Sequence, residues 1–187
     1  MTSNRFALLV PVALAVVLVG GCSSNHSADS TAPIYLTETI GTPVTDVDIS
    51  TTSDVFISSM TISSHAKSPT AVLGGQDDVI LNLCVVTPQR SDGGTVASPQ
   101  WRIATTIYVP AGGTANVTNL DIFPANYFSL PPLAQLFPVN GGVDKETGNC
   151  NIRQTLQIEM LGATVSGHPV SLSFNNPLNF HYGASCV

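Results

Sequence analysis

The sequence is poor in positive charge. Of its 187 residues only six are lysine or arginine, against twelve aspartates and glutamates, which gives a formal net charge of −6 at pH 7. The six cationic residues are scattered along the chain. Binding of nucleic acid or of anionic lipid headgroups requires a concentrated patch of lysine and arginine. The composition therefore argues against a nucleic-acid partner.

Charged residues of either sign are also scarce. They make up 10% of the chain, and serine, threonine, asparagine and glycine are abundant instead. Helical domains normally contain many more alanine, glutamate and lysine residues, which are strong helix formers. The composition therefore favours an all-β domain.

The sequence has no apolar run long enough to cross a bilayer. The longest, Phe6–Val19, has 14 residues and contains Pro11, whereas a membrane-spanning helix needs about 20. The run follows Arg5 and a short polar start, an arrangement typical of a secretory signal peptide. Such a segment can be the signal peptide of a lipoprotein. The alternatives are an ordinary secretory signal peptide, which leaves Cys22 free to form a disulfide, and an N-terminal anchor that is not cleaved.

The residues that end this apolar run form a recognisable motif, Val19-Gly20-Gly21-Cys22. A cysteine directly after small residues at this place resembles the lipobox of bacterial lipoproteins. The resemblance implies that residues 1–21 are a lipoprotein signal peptide, that the chain is cut before Cys22, and that the Cys22 sulfur carries a diacylglyceryl group. Lasting attachment needs two or more acyl chains, because each buried methylene contributes only about 0.8 kcal/mol. We therefore expect a membrane partner through the N-terminal lipid.

The segment after the cysteine predicts the position of the folded part. By the same resemblance, Ser23 in place of an aspartate implies the outer membrane if the host is Gram-negative. Residues 22–33 are polar and without periodicity, which predicts a lipidated flexible tether. The remaining residues, 34–187, are predicted to form a β-sandwich domain in the cell envelope.

Alternating apolar and polar residues predict about seven strands. We expect them at Ile34–Thr39 with Val44–Ile49 as the two parts of a split first strand, and at Asp54–Ser64, Val79–Thr87, Trp101–Val109, Thr114–Leu120, Ile152–Met160 and Val170–Tyr182. The Val79–Thr87 strand is apolar on both faces, which predicts a central strand covered on both sides. Asp92-Gly93-Gly94-Thr95 is a hairpin signal. This number and spacing of strands are typical of an antiparallel sandwich.

Three turn motifs carry a second resemblance. The order of Asp92-Gly93-Gly94-Thr95, Val109-Pro110-Ala111-Gly112-Gly113 and the turn over 140–148 is similar to that of uncharacterised bacterial lipoproteins with an immunoglobulin-like domain. The resemblance covers most of residues 54–174. It implies an antiparallel immunoglobulin-like β-sandwich and brings no activity with it. The cysteine pair that flanks a tryptophan in immunoglobulin domains is not matched, because Cys84 precedes Trp101 but no cysteine lies in the middle of the later strand.

If Cys22 is lipidated, three cysteines remain, Cys84, Cys150 and Cys186, which is an odd number. Cys84 lies in the most apolar strand and suits an inert buried thiol. Cys150 begins a strand and Cys186 is next to the end of the chain, so we favour a Cys150–Cys186 disulfide. Closing that loop would contribute roughly 3–4 kcal/mol to stability. A Cys84–Cys186 pair is the alternative.

Patterns for catalysis or metal binding are weak. The segment Thr164-Val165-Ser166-Gly167 lacks the first glycine of a nucleophile elbow. Asp46, Asp48 and Asp54 superficially resemble a calcium loop, but its sixth position is not glycine and its twelfth, Ile57, is not acidic. Capping of turns is the better interpretation of these aspartates. We predict no enzyme activity, no cofactor and no metal.

The segment 121–142 is rich in aromatic residues and proline. In one interpretation Phe123, Tyr127, Phe128 and Phe137 are exposed and contact a partner or an apolar or sugar ligand. In the other, which we favour, the same residues fold over an open end of the sandwich as a lid, because long connections in compact domains usually pack on themselves. One short helical turn is expected near Pro132–Leu136.

The predicted function is a non-enzymatic, lipid-anchored structural or protein-interaction module of the cell envelope, with an envelope protein as partner. The alternative is a ligand-binding lipoprotein that uses the segment 121–142.

Overall fold

The computed structural model describes residues 31–183, which form two β-sheets around one hydrophobic core. The strands are β1 (Ile34–Ile40), β2 (Asp46–Asp48), β3 (Val55–Ala66), β4 (Val79–Arg90), β5 (Trp101–Val109), β6 (Thr114–Phe123), β7 (Asn151–Thr164) and β8 (Pro169–His181). The helices in this part of the chain are short 3₁₀ segments at Ile49–Thr51, Gly75–Asp77, Ala125–Ser129, Leu133–Leu136 and Pro138–Asn140. The all-β prediction is therefore confirmed.

The two sheets differ in size and in strand direction. One has the strand order β1-β3-β6, and the other has the order β2-β8-β7-β4-β5. We expected about seven antiparallel strands, and two corrections are needed. The described residues contain eight strands, because the two parts of the split first strand lie in different sheets. In addition, β2 pairs with β8 in parallel, with Val47 opposite Phe180.

The split of the first strand has a local cause. Gly41 lies against β3, and a Cβ atom there would be only 2.6 Å from Ser59 Oγ. Two residues later, Pro43 has no N–H group to donate to a sheet. The chain therefore leaves the first sheet after Ile40 and crosses to the second, where the Asn179 N–H donates to Thr45 O (2.8 Å).

The core lies between the two sheets. Phe123 of β6 packs against Trp101 of β5 and Phe180 of β8, with ring centroids 5.0 and 4.8 Å apart. On β7, alternate apolar residues such as Ile158 and Met160 are fully buried, as the alternating pattern predicts. The prediction that β4 is not an edge strand is confirmed, because it lies between β7 and β5. The prediction that β4 is covered on both faces is wrong, because the outward-facing Ile80 is 41% exposed.

A close backbone approach fixes the pairing of β4 with β7. The register shifts so that Leu81 lies opposite Gly162 and Leu83 lies opposite Leu161. A Cβ atom on Gly162 would overlap Ile80 O and would lie 2.7 Å from Leu81 Cα. Both contacts are with backbone atoms, which cannot rotate out of the way as a side chain can.

Replacing Gly162 by alanine should therefore destabilise the fold. We expect a loss of about 1–3 kcal/mol in the free energy of unfolding, measured by urea titration, because the two strands must move apart. The control is Gly75→Ala, where the nearest heavy atom to the new Cβ is 3.8 Å away and the change should stay within about 0.5 kcal/mol. Equal effects of the two substitutions would show that β4 and β7 do not approach this closely.

Candidate functional site

A buried arginine connects the loops at one end of the molecule. The side chain of Arg90, the last residue of β4, is 2% exposed. Its Nε donates to Asp92 Oδ1 and its Nη2 donates to Asp144 Oδ2, both at 2.7 Å. Its Nη1 donates to Val96 O (3.1 Å) and lies 3.7 Å from Glu146 Oε2. We call Arg90, Asp92, Asp144 and Glu146 the arginine cluster.

Each acid of the arginine cluster also accepts hydrogen bonds from a loop backbone. Asp92 accepts from the Arg153 N–H (2.8 Å), and Asp144 accepts from the Thr147 N–H (3.1 Å). Glu146 accepts from the Thr95 N–H (2.7 Å). The cluster therefore fastens the β4–β5 connection to the β6–β7 connection, which are distant in sequence.

The environment of the arginine cluster changes the acidity of its carboxyl groups. Burial alone would raise the pKa of Asp92 and of Asp144, but the hydrogen bonds that each receives, first of all from Arg90, lower both pKa values below the usual range. Hydrogen bonds from Thr95 and Val96 lower the pKa of Glu146. A lowered folded-state pKa contributes stability that is present above the unfolded-state pKa and is lost as the pH falls through the folded-state value. The cluster thus supports the fold at neutral pH.

Sequence reasoning identified the turn but not the ion pairs at this end. Asp92-Gly93-Gly94-Thr95 does connect β4 with β5, which pair as an antiparallel hairpin. Gly93 has a φ of +95°, which favours glycine. A side chain on Gly94 would overlap the Arg90 guanidinium group. The two glycines therefore allow the loop to close around the arginine.

The aromatic segment 121–142 lies across the same end of the core. Phe123 and Phe128 are buried and stack with ring centroids 5.6 Å apart. Tyr127 packs edge-on against Trp101 (5.4 Å), and Phe137 packs against Tyr182 (5.3 Å); both are partly buried.

This burial corrects the interpretation in which Phe123 and Phe128 are exposed for contact. Both rings pack with Phe180 at the ends of the two sheets, and Phe123 also contacts Trp101, as in the lid interpretation. The predicted helical turn near Pro132–Leu136 is present as Leu133–Leu136, together with two further 3₁₀ turns.

The three aspartates near β2, Asp46, Asp48 and Asp54, hold loops in place through hydrogen bonds. Asp48 Oδ1 accepts from the Ser50 N–H and caps the 3₁₀ helix Ile49–Thr51 (2.9 Å), so the capping interpretation is confirmed for this residue. Asp54 accepts from the Ala125 N–H (2.7 Å), which holds the start of the aromatic segment. Asp46, Asp48 and Asp54 line a shallow pocket of about 270 Å³. Within residues 31–183 no group of three or more histidine, cysteine or acidic side chains is placed to hold a metal ion.

His181 joins the end of β8 to β2. Its Nε2 lies 2.9 Å from Asp46 Oδ2 and its Nδ1 lies 2.8 Å from Gly183 O. Since both ring nitrogens face acceptors, the doubly protonated ring satisfies them best. Burial alone would lower the pKa of His181, but the hydrogen bonds to Gly183 and Asp46 outweigh burial and raise it above 6.5.

The raised pKa of His181 predicts a pH-dependent contribution to stability. A raised folded-state pKa contributes stability that is complete below the unfolded-state value of 6.5 and is lost as the pH rises through the folded-state value. We expect the stability advantage of the wild type over His181→Gln to be larger at about pH 5.5 than at about pH 8.5 in urea titrations. In an Asp46→Asn background the pH-dependent part should shrink. An advantage of constant size across this range would contradict the assignment.

The structure settles part of the cysteine arrangement. Cys84 is a free, fully buried thiol, and burial raises its pKa to about 12 with a smaller effect from Asp121. The prediction of a buried free thiol at Cys84 is therefore confirmed, and the alternative Cys84–Cys186 pair is wrong. Cys150 is disulfide-bonded. The favoured Cys150–Cys186 pairing stays a prediction, because Cys186 lies outside the described residues.

The predicted lipidation site, Cys22, also lies outside the described residues. The predicted tether 22–33 needs a correction at its end. Ala32 is 2% exposed and belongs to the core, and the Lys67 N–H donates to Pro33 O (2.9 Å). Thr31 Oγ1 lies 3.1 Å from His168 Nδ1. Residues 31–33 therefore belong to the folded part and not to the tether.

The class defined by these features is a β-rich protein of two sheets with one end closed by an aromatic lid and a buried arginine cluster. None of the helices within residues 31–183 has the length and hydropathy that crossing a bilayer requires. Comparison of the sequence with models of protein families and with curated proteins finds no match in either case.

Proposed function

We propose that this chain is a lipid-anchored, non-enzymatic protein of the bacterial cell envelope that acts as a structural or protein-interaction module. The observation that carries the proposal is the motif Val19-Gly20-Gly21-Cys22 after the apolar run Phe6–Val19. Because the folded part includes Thr31, at most residues 23–30 separate it from the anchored cysteine. This segment spans at most about 30 Å, so the anchor holds the β domain close to the membrane surface.

The attachment point gives the domain an orientation. Thr31 and Pro33 contact His168 and Lys67, which belong to the loops after β7 and β3. On β4, Val79 lies opposite Thr164 at this end, whereas Arg90 lies at the other end of a 12-residue strand. In the proposed arrangement the end of the domain that the aromatic lid and the arginine cluster close therefore lies away from the attachment point.

The proposed fold of this domain is an immunoglobulin-like sandwich. Immunoglobulin domains place strands A, B and E in one sheet and strands C, F and G in the other. By chain order, β1, β3 and β6 correspond to A, B and E, and β4, β7 and β8 correspond to C, F and G. The additional strand β5 lies beside β4, as C′ lies beside C. One difference is that the tryptophan, Trp101, lies in β5 instead of in β4, the strand that corresponds to C.

Two observations favour a non-enzymatic role over catalysis or ligand binding. Asp92, Asp144 and His181, which are the kind of residues that perform proton transfer, are each held by hydrogen bonds that fasten loops. Phe123 and Phe128, which would form an aromatic binding surface, are buried. These side chains already have structural partners.

The proposal is tested by replacing the anchored cysteine. Cys22→Ser should leave an uncut precursor that incorporates no labelled palmitate, because the acceptor sulfur is absent. The matched control is Cys84→Ser, which removes a buried thiol and should leave processing and labelling unchanged. Labelling that persists in Cys22→Ser, or no labelling of the wild type, would overturn the proposal.

A further inference from the structure

The outer face of the five-stranded sheet carries an exposed apolar patch. Ile80, Tyr108 and Val165 are 41%, 53% and 59% exposed. Ile80 lies opposite Tyr108 on β5 and opposite Ala163 on β7. Val165 is two residues beyond Ala163, and its N–H donates to Asp78 O beside β4 (2.8 Å). These side chains therefore share one end of the sheet face.

The patch continues along β4. Leu81 and Cys84 are fully buried, and the register shift between them turns Leu83 outward, where it is only partly buried. Leu83 lies opposite Ala104 on β5 and opposite Leu161 on β7. We call Ile80, Leu83, Tyr108, Leu161, Ala163 and Val165 the outer patch. Exposed Asn82 lies between Ile80 and Leu83 on β4, so the outer patch is apolar surface with one amide within it. Apolar side chains grouped in this way on one face of a sheet form a candidate interaction site.

At one end of the outer patch, the Asp78 carboxylate accepts from the Tyr108 hydroxyl and from the Ala111 N–H (2.8 Å). Two opposite charges stand at the other end. Val85, the next outward residue of β4, lies opposite Arg102 on β5 and opposite Glu159 on β7. Within the described part of the chain, neither Arg102 nor Glu159 forms an ion pair within 4.0 Å. One cation and one anion therefore lie at the same height on the two sides of β4, without a charged partner in their own molecule.

We propose that the outer patch binds a second copy of this chain, related by a twofold axis that runs along β4 between the two facing sheets. Such an interface is self-complementary, because the same surface faces itself. Rotation about this axis places the β5 strand of one copy over the β7 strand of the other. Residues that lie at the same level along the strand direction then face each other. Arg102 of each copy then faces Glu159 of the other.

The apolar rows are complementary under the same axis. In the Ile80 row, the large Tyr108 on the β5 side faces the small Ala163 of the second copy. In the Leu83 row the sizes are reversed, since the small Ala104 on the β5 side faces the large Leu161. Sheets pack face to face at about 10 Å, with side chains filling the space between them. Size is thus complementary in the Ile80 and Leu83 rows and charge in the Val85 row, which is why we assign the patch to a second copy.

Charge reversal tests the proposed axis directly. The full-length chain is purified in a non-ionic detergent, and its dissociation constant is measured by density-matched sedimentation equilibrium. Arg102→Glu or Glu159→Arg alone places like charges opposite each other twice per dimer and should weaken association about tenfold or more. An equimolar mixture of the two variants should recover association, because in the mixed dimer both pairs again have opposite signs. Arg153→Glu, an exposed charge on β7 about 20 Å from Glu159, should leave the dissociation constant unchanged.

Several results would overturn the proposal. A chain that stays monomeric up to about 100 μM has no such interface. The proposal is then wrong even if the outer patch is found to bind another envelope protein. The dimer uses a different surface if neither Arg102→Glu nor Glu159→Arg weakens it, or if Arg153→Glu weakens it equally. The same conclusion follows if mixing the two variants fails to restore association. The inference goes beyond the proposed function and does not depend on lipid attachment, which the palmitate experiment tests separately.

Discussion

Replacing Arg90 by methionine should lower the free energy of unfolding by about 3–5 kcal/mol, as measured by urea titration. The guanidinium group is buried between Asp92 and Asp144, whose side chains are 7% and 0% exposed. Methionine is similar in length but leaves these two carboxylates without their cation, and an uncompensated buried charge is strongly unfavourable.

The control for this prediction is another arginine on a strand. Arg153→Met removes an exposed guanidinium group and should change stability by no more than about 0.5 kcal/mol. In a double-mutant cycle, Arg90→Met combined with Asp144→Asn should be less destabilised than the sum of the single effects, because the two residues interact directly. Additive effects, or an Arg90→Met loss as small as that of Arg153→Met, would show that the arginine cluster does not hold this end together.

Replacing Phe123 by alanine should be similarly damaging, with an expected loss of about 3–5 kcal/mol in urea titration. Phe123 is fully buried and packs against Trp101, Phe128 and Phe180. Its removal leaves a cavity where the lid meets both sheets.

Phe56→Ala provides the matched comparison, because Phe56 is 41% exposed and its loss should cost less than about 1 kcal/mol. If Phe123→Ala is as stable as Phe56→Ala but no longer captures an envelope partner, the exposed interpretation of the aromatic segment is right and the lid interpretation fails.

The strands were accessible from sequence because their signals are local. The alternation from Ile152 to Met160 predicts a half-buried strand, and the structure places it in the middle of the larger sheet. The split of the first strand was also visible at Gly41 and Pro43. The parallel pairing of β2 with β8 was not, because it depends on residues more than 130 positions apart.

The arginine cluster shows why the candidate site could not be derived in the same way. Arg90 and Asp92 are neighbours in sequence, but Asp144 and Glu146 lie in a different connection, and nothing local indicates that the two loops meet. The available signal was two glycine-containing acidic turns and a lone arginine at a strand end. Similarly, composition marked the aromatic segment, whereas only packing distinguishes the buried Phe123 from the partly buried Phe137.

The proposed envelope location depends on Cys22 alone. The most direct measurement is the intact mass of the protein recovered from the membrane fraction, followed by sequencing of its N-terminal peptide. We expect a chain that begins at Cys22 and carries the added mass of a diacylglyceryl group on that residue. A chain that begins elsewhere, or one that begins at Cys22 with an unmodified thiol, would contradict it.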